Sequence, residues 1–293
     1  CFIFVRQAAT LVRIHKVNLH RIHLTYRTRT KQMPTANIED TFLFYEVTGQ
    51  GSPIVLTTGL GAGAEARAEL IAGLTKNHKV LTYDQRGTGR SGPSSRPQSI
   101  EEFADDIVTL MDAAAIDRAA IIGLSTGTGI ATALAANYST RASHLILGAP
   151  WTHGDPDLHV LQNTRKAAAR TMPADFYIHF NSMLIYPPEY RRKHYKRFEN
   201  MATQALKSPQ DPVKISARLD AILAFDAREL YKKINCPALV LGARDDLVMP
   251  YWFAQDAANA IPNSRLVIYE YGGHMFPETR TSDFLKEVNT FIS

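Results

Sequence analysis

Along most of the chain, short apolar runs rich in β-branched residues alternate with longer stretches of helical periodicity. Residues 41–47 alternate apolar and polar positions in the manner of a half-exposed strand. Residues 53–58, 79–83, 119–122, 144–147, 238–241 and 265–269 are continuous apolar runs of the length of buried strands. Between them lie helix candidates such as 99–111, where Ser99 and Glu102 have the spacing of an N-terminal capping pair. This alternation predicts an α/β fold with a mostly parallel sheet and helices on both faces. The rhythm breaks over 151–225, which is helical, irregular and rich in Tyr, Pro and Arg. That segment predicts a helical lid inserted over the carboxyl edge of the sheet, where open α/β sheets bind ligands. The core is then expected from 33–150 and 226–293, with residues 1–32 standing apart.

Charge placement is what sets those first residues apart. The net charge of the 293-residue chain is +5, but residues 1–32 carry seven Lys or Arg and no acid, leaving 26 basic and 28 acidic residues in the rest. The body is slightly acidic, so there is no electrostatic reason to expect a nucleic-acid partner. Three readings fit the leader. Translation starts at Met33 and the leader is non-native, or it is an Arg-rich transit peptide, or it is a disordered or loosely docked arm. No apolar run approaches the roughly 18 residues of a membrane span, so no membrane partner is expected. With only Cys1 and Cys236, neither a disulfide framework nor a cysteine metal site is expected, and Cys236 reads as a buried structural thiol. A cytoplasmic location follows, or a mitochondrial one if the leader is a transit peptide.

Residues 121–135 hold one serine and three glycines, and two chemistries compete for them. A phosphate cradle would draw support from Gly87-Thr-Gly-Arg-Ser-Gly92, a literal G-x-G-x-x-G. A dinucleotide fingerprint, however, closes the first strand of its unit, enters a helix directly, and is answered by an acid at the end of the next strand. Here the motif follows a later strand, Pro93 and Pro97 interrupt the helix, and the next run ends in Gly123 and Ser125. No nucleotide cofactor is therefore expected. The alternative is G-x-S-x-G, Gly123-Leu-Ser-Thr-Gly127, set between a buried strand and an Ala-rich helix. In that setting the turn is tight, the serine backbone is strained, and glycines on either side relieve the clash.

A serine nucleophile needs a base, and the base needs an acid to orient it. Of ten histidines, His274 directly follows the last strand in Tyr271-Gly-Gly-His-Met275. His78 and His144 read as packing or surface residues, and His153, close behind a strand end, is also placed to line a pocket. The loop after the penultimate strand offers Asp245 and Asp246; the spacing to Pro250 points first to Asp246, with Asp245 as the alternative acid. An oxyanion hole would draw one N–H from Thr126 and a second from the glycine-rich loop after residue 58, at Leu60.

Together, Tyr83-Asp-Gln-Arg-Gly-Thr-Gly-Arg-Ser-Gly92, the serine turn, Asp245-Asp-Leu-Val-Met-Pro250 and Tyr271-Gly-Gly-His274 resemble the α/β-hydrolase superfamily from about Asn37 to the C-terminus. Within it the chain is similar to the branch of 3-oxoadipate enol-lactonases and aminoacrylate or carbamate hydrolases, the latter through Leu184-Ile-Tyr-Pro-Pro-Glu-Tyr190. By that resemblance, 87–92 is a structural loop with Asp84 and Arg86 in structural roles. Two positions depart from the family. Thr58-Gly59 stands where His-Gly is common, which leaves the anchoring of the oxyanion loop open. Thr128 replaces a second glycine, which implies a more crowded site.

The resulting expectation is a cofactor-independent serine hydrolase with no metal, cleaving a small ester, lactone or C–N bond. Ser125, His274 and an aspartate would form the triad, and Gly59, Trp151, Tyr186 and Met275 would contact the substrate, a small carbonyl compound. A ligand-binding protein and an acyltransferase on the same fold are the rival readings, and a homodimer fits either. Arg165, Lys166 and Arg170 in the insertion read as solvated charges, with recognition of an anionic substrate group as the other reading.

Overall fold

The computed structural model describes residues 34–59, 67–96 and 98–293, so the basic leader and Leu60 lie outside the described residues. Pro34–Ser293 form one unit around an eight-stranded sheet. In chain order the strands are β1 (Thr35–Ile38), β2 (Thr41–Thr48), β3 (Ser52–Thr57), β4 (His78–Tyr83), β5 (Ala119–Leu124), β6 (Ala142–Gly148), β7 (Ala238–Ala243) and β8 (Ser264–Tyr269). Their spatial order is β1-β2-β4-β3-β5-β6-β7-β8. β1 and β2 pair antiparallel, as do β2 and β4, and every later pairing is parallel. Helices α1 (Ala68–Leu74), α2 (Ile100–Ala113) and α3 (Thr126–Asn137) connect the first strands. Six helices separate β6 from β7: α4 (Pro156–Thr171), α5 (Ala174–Ile185), α6 (Pro188–Lys193), α7 (Tyr195–Lys207), α8 (Pro212–Ala224) and the short α9 (Arg228–Tyr231). The chain closes with α10 (Tyr251–Ala260), α11 (Phe276–Thr279) and α12 (Thr281–Ile292). α2 packs with α3 and α1 packs with α12, two helical layers on the sheet.

The apolar runs locate the core because an interior parallel strand is covered on both faces. All six residues of β5 and all six of β7 are buried. The run at 265–269 behaves differently from its reading as a buried strand: Arg265 and Leu266 of β8 are exposed. β8 lies at the sheet edge with β7 as its neighbour, so its apolar content does not translate into burial. The four-residue β1, too short to show a period, extends the opposite edge.

Two local arrangements fix the loops at the carboxyl end of the sheet. After β4, the Asp84 carboxylate accepts from the Arg90 backbone N–H and from its Nε, both at 2.9 Å. Gly89 turns there with φ +52°, and a Cβ on it would lie 2.4 Å from Asp84 Oδ2. Gly89 of the 87–92 stretch thus clears space for a carboxylate of the protein. The neighbouring Arg86 reaches α2 and grips Asp106 with two N–H bonds, one of them Nε to Oδ2 at 2.8 Å, with both side chains buried. Ser99 begins α2 by accepting the Glu102 N–H at 3.1 Å.

The second arrangement is the turn from β5 into α3. Ser125 has φ 55° and ψ −125°, a left-handed conformation that costs a non-glycine residue about 1–3 kcal/mol. The turn is tight enough that a Cβ on Gly123 would lie 2.3 Å from the Gly127 carbonyl oxygen, and one on Gly127 would lie 2.4 Å from that of Thr57. Thr128 does not crowd the site. Its hydroxyl turns back and donates to the Ser125 carbonyl at 2.6 Å, and its side chain is fully buried.

Two stability measurements check these statements. Replacing Asp106 by Ala leaves the Arg86 guanidinium buried without its partner, which lowers the unfolding free energy in urea by about 3–5 kcal/mol; the pair R86M/D106L recovers most of that loss. At the turn, Ser125→Gly is expected to be more stable than Ser125→Ala by about 1 kcal/mol, because glycine adopts the required φ without strain.

Candidate active site

The loop between β8 and α11 carries His274 on a turn that only glycine accommodates easily. Gly272 and Gly273 have φ +147° and +65°, and a Cβ on Gly273 would lie 3.0 Å from the Ile185 carbonyl oxygen. The Asp245 carboxylate accepts both of their N–H groups, from Gly272 at 3.1 Å and Gly273 at 2.8 Å. Asp246 points the other way. Its Oδ1 accepts the N–H groups of Val248 and Met249, both at 2.8 Å, which leaves Oδ2 to meet His274 Nδ1 at 2.9 Å. On its other side, His274 Nε2 lies 2.8 Å from Ser125 Oγ. His274 and Asp246 are buried, 6% and 4% exposed, so water competes weakly for these bonds. The two adjacent aspartates therefore do separate work: one contacts the imidazole and the other ties down the loop that presents it.

Thr126 is the first residue of α3, so its N–H has no partner within the helix and sits at the positive end of the helix dipole. Among the described residues its buried hydroxyl has no hydrogen-bond partner. Gly59, at the end of β3, passes so close that a Cβ on it would lie 3.1 Å from Ser125 Cβ. This segment is anchored by Gln85 and Arg218, neither of which was a candidate site residue. Gln85 Nε2 donates to the Thr58 carbonyl at 3.1 Å, and Arg218 Nη1 of α8 donates to Gln85 Oε1 at 3.2 Å. Arg218 also donates to the Arg86 carbonyl at 3.2 Å, and burial pushes its pKa down to about 10. These contacts join positions 133 residues apart, a relation with no local signature.

A cavity of about 320 Å³ opens in front of Ser125 and His274. Gly59, Thr126, Tyr186 and Met275 line it. Trp151 does not. It is fully buried, its indole N–H donates to the Ile222 carbonyl at 3.1 Å, and its ring fills the clearance left by Gly129. His153 is also elsewhere, 2.9 Å from the Thr152 hydroxyl and edge-on to Phe253. His78 bonds Asn289 and His144 packs on Phe291. Lys166 pairs with Asp220 at 2.5 Å and Arg170 is exposed, whereas Arg165 turns into the cavity wall.

One wall of the cavity is braced by a charged cluster around Glu278. Its carboxylate accepts from Tyr186 at 2.9 Å, from Tyr190 at 3.0 Å and from Arg197, and lies 3.8 Å from Arg67. Burial alone would raise the Glu278 pKa, but the Arg197 charge and the phenol hydrogen bonds bring it below the ordinary carboxylate value. Burial and that carboxylate together push the Tyr190 phenol up to about 12.

The sequence model of the alpha/beta hydrolase fold matches residues 52–281, well over half of the chain. A protein of Azorhizobium caulinodans named "Putative carbamate hydrolase RutD" is 32% identical over 258 residues, covering 87% of this chain and 96% of its own. A protein of the same name from Caulobacter sp. strain K31 is 31% identical over 86% of this chain and 96% of its own. Among solved structures, the enol-lactonase from Burkholderia xenovorans LB400 superposes with a TM-score of 0.78 at 28% identity, over 88% of this chain and 99% of that one. The chain belongs to the alpha/beta hydrolase fold family.

Proposed function

We propose that the protein is a cofactor-independent serine hydrolase acting on a small ester, lactone or carbamate- or amide-like C–N bond. The observation that carries this reading is the unbroken chain from Ser125 Oγ through His274 to Asp246 at 2.8 and 2.9 Å. Relatives named as carbamate hydrolase and enol-lactonase support the same class of bond. In the first step Ser125 Oγ attacks the carbonyl carbon and passes its proton to His274 Nε2. Asp246 holds the ring by Nδ1–H and stabilises the imidazolium. Charge on the carbonyl oxygen is met by the Thr126 N–H, with the Leu60 N–H assigned as second donor; each such donor is worth about 3–4 kcal/mol in comparable sites. The leaving group departs with the proton held by His274, giving an acyl ester on Ser125. Water then attacks that ester, returns a proton through His274 to Ser125, and releases the acid.

The cavity volume limits the substrate to a small molecule. Within this reading, Gln85 and Arg218 are positioning residues: they hold the Thr58 carbonyl, and through it the backbone that leads into the oxyanion loop.

Two experiments test the assignment. Ser125→Ala is expected to abolish covalent labelling by a fluorophosphonate probe; labelling that persists would refute Ser125 as nucleophile. Turnover of a panel of acyl, lactone and carbamate substrates is expected to fall about 10²–10⁴-fold in Asp246→Asn. Asp245→Asn, which loosens only the loop, should act chiefly on thermal stability. In the same assay Gln85→Leu should lower kcat by up to about 100-fold with a smaller change in KM.

A further inference from the structure

Three arginines reach the cavity, and they differ in what already holds them. Arg197 and Arg67 face the Glu278 carboxylate. Arg165, on α4, meets amides: its Nε donates to Asn181 Oδ1 at 3.1 Å and its Nη1 to Gln162 Oε1 at 3.0 Å. The two amides are held differently: Gln162 Nε2 has no hydrogen-bond partner among the described residues. Gln162 is fully buried, and Asn181 is locked by its own Nδ2, which donates to the Tyr177 carbonyl at 3.0 Å. Among the described residues no carboxylate pairs with Arg165. A guanidinium offers five N–H donors, so three of them, including both on Nη2, have no partner among the described residues. Burial pushes the Arg165 pKa down. A cation in a desolvated wall without a counter-ion is costly, and the arrangement becomes favourable when an anion is supplied.

We propose that Arg165 is the specificity residue of the cavity and that it takes a carboxylate carried by the substrate, so that the reacting carbonyl and an anionic group occupy opposite ends of one small acyl compound. This rests on the serine-hydrolase reading for the identity of the reacting end, while the anion site stands on Arg165 itself. Gln162 and Asn181 hold the guanidinium from behind on Nη1 and Nε, which leaves Nη2 and the second Nη1 hydrogen toward the ligand. That is the fork that matches the two oxygens of a carboxylate. Apolar side chains that line the same cavity, such as Ile178, Ile222 and Met249, suit a short hydrocarbon spacer.

The test uses the purified full chain and three dicarboxylates of increasing length: succinate, glutarate and adipate. Calorimetric titration is expected to show that one of them binds at least about 30-fold more tightly than its diamide, and that Arg165→Met removes this preference. Arg165→Lys should keep part of it, and Arg170→Met, on an exposed position of the same helix, all of it. Absence of any preference for the dicarboxylates in the wild type, or its survival in Arg165→Met, would overturn the proposal. Hydrolysis is read separately, as the ratio of kcat/KM for monomethyl dicarboxylates to that for methyl alkanoates of equal length, and Arg165→Met should bring this ratio toward one. Fluorophosphonate labelling of Ser125 in the same preparations distinguishes the two failures. Dicarboxylate binding without labelling defeats the serine reading alone, and labelling without binding defeats this one.

Discussion

The left-handed backbone of Ser125 is the constraint around which the neighbouring structure is organised. A residue with a side chain does not stay in that conformation unaided, so the surrounding chain must over-determine it. The Ser125 N–H donates to the Gly148 carbonyl at 2.8 Å, fastening the turn to β6. Its carbonyl accepts both the backbone N–H and the hydroxyl of Thr128. Missing side chains at Gly123 and Gly127 let β5, α3 and the end of β3 approach to backbone contact. Strain at one residue is thus held by the most deeply buried part of the sheet, which is where a fold has free energy to spare.

A second dependence runs from the helices between β6 and β7 to the carboxyl end of the sheet. α8 contributes Arg218, whose guanidinium holds Gln85 and through it the Thr58 carbonyl. α4 contributes Arg165 to the cavity wall. The helices α4–α8 between β6 and β7 are therefore not an independent cap. They supply polar groups that both shape the cavity and brace the strand end beneath it.

Much of this was legible in the sequence, and the remainder was illegible for identifiable reasons. Continuous apolar runs located β3 to β7 because interior strands are buried on both faces, while the same kind of run in β8 misled because an edge strand need not be. Ser125 and His274 were found because each lies at the end of a strand, a position that local sequence marks. The adjacent aspartates were harder to separate, since their roles depend on which way each side chain turns, and that is decided by backbone amides at Val248, Met249, Gly272 and Gly273. Arg165 read as a solvated charge because helical spacing does not say what faces a helix. Its place one turn after the buried Gln162 becomes informative only once the cavity is known. Trp151 illustrates the converse: an aromatic residue just behind a strand end was expected against substrate and instead fills the gap over Gly129.

The grip on Glu278 has a further consequence for how molecules enter and leave. Glu278 lies four residues beyond His274, and Tyr186, Tyr190 and Arg197 of the insertion all fasten to it. The Met275 N–H adds a fourth link, to the Ile185 carbonyl at 3.0 Å. The segment bearing the imidazole is thereby tied to α5–α7. Raising α5–α7 as a rigid body would drag His274 away from Ser125, so in the proposed serine-hydrolase reading a movement that admits substrate also opens the Ser125–His274–Asp246 hydrogen-bond chain. On the same reading, a substrate that reaches Ser125 without displacing those helices meets the hydrogen-bond chain intact, and one that displaces them meets it broken.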